Sequence, residues 1–229
     1  MKKLLCLLAA LALSLGALTA CEPGADESGD STAPMTTVVP KTEEKPDLTA
    51  KPVIYLYPTE PTRVTVELDF DGTLTSVYPA YGDGWTVDAA PDGTLTDPAT
   101  GRTYYGLFWE GIANDAYDLS AGFVVPGGDT AAFLEDVLAK LGLNEREANE
   151  FIIYWLPRME HNAYNLISFQ QAAYTDQAQL TVTPAPDTVI RVFMAWKPLD
   201  APVAVAPQEL AAPAREGFTV VEWGGAEMN

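Results

Sequence analysis

The sequence predicts an α+β domain: mainly antiparallel β-sheet built from hairpins, with one clear helix at about residues 130–142 packed on it. Three observations carry this. Residues 63–70 alternate strictly, with Val64, Val66, Leu68 and Phe70 on one side and Arg63, Thr65, Glu67 and Asp69 on the other. That is a strand with one wet face. Short β-forming runs recur between clusters of Pro, Gly and Asp. One stretch, through Phe133, Leu134, Val137, Leu138 and Leu141, keeps a clear helical period.

The elements follow in order. Val53-Ile54-Tyr55-Leu56-Tyr57 is an apolar strand bracketed by Pro52 and Pro58. Asp71-Gly72 reads as a hairpin turn after the alternating strand, with Leu74–Tyr78 returning. Trp85–Val87 leads into a Pro91-Asp92-Gly93 turn, and 102–109 and 122–125 are further strands. The helix has Asp129 or Thr130 to cap it and Gly142 to stop it. Asn144 with Glu147 three residues on fits a capping box for a second, short helix. After it, Ile152-Ile153-Tyr154-Trp155-Leu156-Pro157 echoes the first run and is read as a strand from Ile152. Strands at 165–170, 179–182 and 189–196 follow, the last two joined by the turn at 184–187. Residues 198–213, with four Pro, cross the surface extended. Phe218–Trp223 is the last strand, ended by Gly224-Gly225.

The N-terminus carries an export signal. Lys2 and Lys3 precede an uncharged Leu/Ala-rich run from Leu4 to Ala20. The run is too short and wrongly flanked for a membrane span. Leu18-Thr19-Ala20-Cys21 resembles the bacterial lipobox, which implies lipidation of Cys21 and cleavage before it. A diacylated Cys supplies the two chains that stable anchoring needs. The expected organisation is a signal peptide over 1–20, an acidic, Pro-rich disordered tether over 21–49 and one domain over 50–229. The tether has no aromatic residue to pack and spans about 30 Å on average. The expected location is therefore an extracytoplasmic membrane face, at the cell surface or in the periplasm.

Composition narrows function. The 229 residues hold 32 acids and 13 bases; without residues 1–20 the balance is 32 against 11, a formal charge of −21. Such a surface argues against nucleic acid, which needs clustered Lys and Arg. Two Cys and one His leave too few ligands for a structural zinc site. Neither a metal nor a cofactor is implied. Asp83, Glu110, Asp115 and Asp118 could meet as a loop calcium site, but they lack the EF-hand spacing and read first as acidic surface.

One motif looks catalytic. Leu68-Asp69-Phe70-Asp71-Gly72-Thr73 resembles the first motif of haloacid-dehalogenase-type phosphatases, which would make Asp69 a nucleophile and Asp71 an acid/base. Its strand alternates where that family's is buried on both faces. No helical period follows it. Asp-Gly-Thr-Leu-Thr recurs at 92–96, so a turn explains both copies. His161 beside Glu160 could form a base and its orienting acid, and Glu110 is a further weak catalytic candidate. Tyr81, Trp85, Tyr105 and Trp109, with Tyr78, Tyr104 and Tyr117, form an aromatic cluster that would be core if buried and a sugar-stacking or protein-binding surface if exposed.

The runs Lys51–Pro58 (KPVIYLYP), Tyr154–Pro157, Arg191–Ala195 and Val220–Gly224 (VVEWG) together resemble an uncharacterised family of exported bacterial lipoproteins. The resemblance implies location and one shared domain, with no activity to carry over. The expected function is a membrane-anchored binding or interaction module of the envelope, with a glycan or protein partner. The alternative is an extracytoplasmic hydrolase of envelope glycan or peptide using paired carboxylates; a phosphatase using Asp69 and Asp71 ranks below it.

Overall fold

The computed structural model describes residues 48–114 and 117–228. The signal sequence, Cys21, residues 22–47 and Asp115 lie outside the described residues. In chain order the elements are β1 (Leu48–Tyr57), β2 (Thr62–Phe70), β3 (Gly72–Tyr78), β4 (Trp85–Ala89), β5 (Leu95–Thr96), β6 (Thr103–Tyr104), β7 (Leu107–Ala113), β8 (Phe123–Pro126), α1 (Thr130–Lys140), α2 (Glu145–Met159), β9 (Tyr164–Phe169), α3 (Ala172–Gln177), β10 (Ala178–Thr183), β11 (Thr188–Leu199) and β12 (Thr219–Glu227). The α+β class expected from the sequence is what the chain adopts.

Two sheets and a helical layer build the core. The larger sheet has the order β3-β7-β1-β12-β11-β9-β8, the smaller β10-β2-β4-β5-β6. In β1, Val53 and Tyr55 face α1 and α2, while Ile54 and Leu56 face the smaller sheet. A strand covered on both faces can be apolar throughout, which is why this run shows no alternation. Strand β2 alternates as its sequence predicts, with Val64 and Val66 buried against the larger sheet. All pairings between named strands are antiparallel except β11–β12. The Pro-rich segment 200–218 makes that parallel crossover. It is pinned by Gln208, whose side chain accepts from Phe169 N–H at 2.9 Å and donates to Phe169 C=O at 3.1 Å.

Five expectations are corrected. The strand expected from Ile152 is helix: α2 runs through to Met159. Phe151, Trp155 and Met159 recur every four residues and are buried, and this period outweighs the β-branched pair Ile152-Ile153. Asn144 and Glu147 close the expected capping box at 2.9 and 2.8 Å. Pro157 falls in the last turn, where the carbonyl it leaves unbonded belongs to Ile153 on the solvent side, 74% exposed. Second, Asp71-Gly72 is no hairpin. Phe70 pairs with Ala178 in one sheet and Gly72 with Ala113 in the other, so the chain changes sheets between them. A Cβ on Gly72 would lie 2.3 Å from Ile112 O. Third, residues 102–109 break into β6 and β7 at a similar change of sheet. Fourth, β10 and β11 belong to different sheets and do not pair. Fifth, β12 runs through Gly224-Gly225 to Glu227. Cβ atoms there would meet Pro52 at 3.1 Å and the Trp155 ring at 2.7 Å, so the glycines admit neighbours within an unbroken strand.

Candidate functional site

The Lys51-Pro52 step is a β-bulge inside β1, an interior strand of the larger sheet. Against β12 the register passes from Ala50–Gly225 to Val53–Trp223, and against β7 from Thr49–Gly111 to Val53–Phe108. Strand β1 thus carries one extra residue against each neighbour. Lys51 takes φ 56°, the one non-glycine at positive φ among the described residues. Left-handed backbone costs a non-glycine residue about 1–2 kcal/mol. Bulges of this kind re-aim a side chain. Here the backbone N–H of Lys51 donates to Glu110 Oε1 at 3.3 Å, and Nζ lies 5.1 Å from the centroid of the Tyr154 ring.

Lys51 lines a groove of about 500 Å³, within the usual range of about 300–1,000 Å³ for ligand sites. Phe108 and Glu110 come from β7, Tyr78 from the end of β3, Tyr104 and Tyr105 from the β6–β7 crossing, and Tyr154 from α2. The groove exists because the helices stop short: no β3 residue joins the core beneath α1 and α2. Tyr78 and Tyr105 are 53% and 50% exposed, and they are the exposed aromatic side chains among the described residues. Tyr78 meets Tyr104 edge-on at 5.5 Å. The Arg146 guanidinium lies 5.5 Å from the Tyr105 ring, and that of Arg158 4.2 Å from Tyr154. Partial burial raises the Tyr105 hydroxyl pKa; Glu150 raises it further and Arg146 opposes. Partial burial also raises that of Tyr154, opposed by Arg158 and reinforced by Glu110. Both phenols are therefore neutral at physiological pH and can donate and accept.

The sequence candidates separate by burial. Tyr105 and Glu110 reach the groove. Trp85 and Trp109 are buried between the sheets. Tyr81 packs on Trp85, and its hydroxyl accepts from Leu68 N–H at 2.7 Å. Those three are core, because their positions face inward across the sheet sandwich. Glu160 and His161 stand 3.7 Å apart past the end of α2, with the His side chain 87% exposed and no cavity around it. Asp69 sits on the exposed face of β2, and Asp71 accepts from Asn114 Nδ2 at 2.5 Å at the sheet change. No helix follows them before β4. No cluster of three metal-binding side chains occurs among the described residues. Tyr78 and Tyr104 belong to the aromatic cluster read from the sequence, whereas Lys51 and Tyr154 were not candidate site residues. The signal available for Lys51 was its place before Pro52, as the one charged residue of its strand.

A second cleft of about 540 Å³ opens beside β10 and β11. Its charged lining residue, Arg191, is committed to a buried partner. Arg191 Nε donates to Glu222 Oε2 at 2.6 Å, and Glu222 Oε1 accepts from Trp109 Nε1 at 3.0 Å. With its charge neutralised within the protein, this cleft offers less to a ligand than the tyrosine groove does.

A protein of Butyrivibrio fibrisolvens described as "Uncharacterized protein in bglA 3'region" is 47% identical to this chain over 64 residues. The match takes in 27% of this chain and 65% of the relative, so the chain spans less than two thirds of that protein's length. No family model and no solved structure matches the chain.

Proposed function

We propose that the chain is a membrane-anchored extracytoplasmic lipoprotein, a binding module of the cell envelope with no catalysis of its own. The observation that carries this reading is the make-up of the tyrosine groove. Its contact surface is aromatic and open, and one Lys and one Glu are its charged residues. A glycosidase-type hydrolase needs two carboxyl groups flanking the scissile bond; the groove lining brings one, Glu110. Aromatic area with a few placed polar groups is what recognition needs. Lipid on Cys21 would hold the domain at the membrane, with residues 22–47 between anchor and fold. No described helix is long and apolar enough to cross a membrane, which leaves attachment to the lipid in this reading.

Cell fractionation and envelope pull-down test both halves. In fractionation by detergent-phase partitioning, the native chain should enter the detergent phase and Cys21→Ala the aqueous phase; a variant that still enters the detergent phase would sink the anchor. Isolated envelopes should then retain Cys21→Ala protein, and Tyr78→Ala with Tyr105→Ala should abolish that retention. Retention unaffected by these changes would remove the groove from the function.

A further inference from the structure

We infer that the tyrosine groove takes a neutral oligosaccharide chain, an assignment that rests on the binding role proposed above and names its ligand. Half-exposed rings such as Tyr78 and Tyr105 offer flat faces on which the C–H face of a pyranose can lie, while their hydroxyls stay in water. The groove also supplies what sugar hydroxyls need. Glu110 is an acceptor, Lys51 Nζ a triple donor, and the neutral phenols of Tyr105 and Tyr154 serve as both.

Charge narrows the class. The lining holds one cation and one anion, and of the two guanidiniums that lie on its rings Arg146 is paired with Glu150, which leaves Arg158 as the further cation and no cluster of cations such as a polyanion needs. The chain as a whole stands at −19, a field that repels polyuronates and polyphosphates. A peptide fits less well. Strand β1 is paired on both sides by β12 and β7, and β7 by β1 and β3. The edge strands reach the groove only at its rim, β3 through its last residue Tyr78 and β6 through its two residues Thr103 and Tyr104, so a peptide backbone finds little strand edge there, the usual source of affinity in strand addition.

The bulge is the second, independent observation. An interior strand accommodates its residues most cheaply without a left-handed lysine. Gly at that φ would remove the strain, and an apolar side chain would suit the aromatic surroundings. The fold instead holds Lys51 at φ 56° with its ammonium over Tyr154. Strain retained at an open groove marks a side chain kept for a ligand.

Isothermal titration of the purified full chain in detergent tests the assignment. The probes are cellohexaose, xylohexaose and N-acetylglucosamine hexamer, with polygalacturonate as the charged counterpart. At least one neutral hexasaccharide should bind. Tyr78→Ala and Tyr105→Ala should each weaken it about three- to tenfold. Tyr105→Phe should keep most of the affinity, and Ile153→Ala, exposed on α2 outside the groove, all of it. Unfolding midpoints of the variants confirm that they fold. Three results would overturn the assignment: no neutral hexasaccharide binds, polygalacturonate binds more tightly than all of them, or binding survives both Tyr→Ala changes. If no saccharide binds while envelopes still retain the chain through Tyr78 and Tyr105, the sugar is wrong and the binding role stands. If envelope retention is also independent of these residues, both fall.

Discussion

Two regions of the molecule hold the same chemical inventory and use it in opposite ways. Between the sheets, Arg191 and Glu222 are surrounded by Trp109, Tyr174 and Phe193. In the groove, Lys51 and Glu110 are surrounded by Tyr78, Tyr104, Tyr105 and Tyr154. Each region has one cation, one carboxylate and several rings. In the first the carboxylate is fully buried and the guanidinium nearly so. Arg191 also donates to Ala178 C=O at 2.6 Å and lies 4.7 Å from the Tyr174 ring, so its charge is committed to the protein. In the second, Tyr78 and Tyr105 keep about half their surface in water and the ammonium faces the partly buried Tyr154 ring. Residue type does not separate structure from recognition here; solvent access does, because a buried charge must be paired within the fold while an exposed one remains available to a ligand.

Breaking the buried pair should have the largest effect. Glu222→Ala strands Arg191 in the inter-sheet core and should cost about 3–5 kcal/mol, read by urea unfolding. Arg191→Met combined with Glu222→Leu should recover most of that loss, since an apolar pair of similar volume needs no desolvation. A cost below about 1 kcal/mol for Glu222→Ala would show that the pair is not holding the sheets together.

The edge of the helical layer gives a pH-dependent contrast. The Tyr55 hydroxyl donates to Glu150 Oε2 at 2.7 Å and accepts from Trp223 Nε1 at 3.0 Å. Burial first, then Glu150, raises its pKa far above the ordinary 10.0. The folded chain thus keeps this proton where the unfolded chain loses it. The stabilisation is whole below pH 10 and falls as pH rises beyond it, by about 1.4 kcal/mol per pH unit from this group. Unfolding measured from about pH 8 to about pH 11 should decline less steeply above pH 10 in Tyr55→Phe than in the native chain. Equal slopes would mean that the hydroxyl titrates normally.

The smallest stability effect should fall in the groove and carry the opposite sign. Lys51→Gly relieves left-handed strain of about 1–2 kcal/mol and adds unfolded-state entropy of about 0.5–1 kcal/mol. The variant should be about 1 kcal/mol or less more stable, while envelope retention falls. A destabilised variant, or one that binds as well as the native chain, would make Lys51 a structural residue and erase the contrast between the two regions.

Much of the fold was legible because local rules acted unopposed. The alternation in β2, the capping box at Asn144 and Glu147 and the apolar stripe of α1 each depend on residues within one or two turns. The reading failed where two local patterns competed. Ile152–Leu156 has the composition of a strand, but Phe151, Trp155 and Met159 share one helical face, and the sheet beneath gives that face something to cover. α3 was missed because Ala172–Gln177 is six residues long and begins without a side-chain cap. For the site, the sequence pointed at an aromatic cluster without sorting its members: Trp85 and Trp109 went inside, while Tyr78 and Tyr104 went to the rim beside Tyr105.

By itself the sequence determined the class and most of the elements, because propensity and periodicity are local properties. The tertiary structure alone decided which sheet each strand joins. It decided that Gly224-Gly225 makes room for Pro52 and Trp155, and that Lys51 bulges out over Tyr154. It also decided which of the clustered tyrosines meet water. Those outcomes depend on residues from tens to more than a hundred positions apart packing against one another, and no short window of sequence contains both partners.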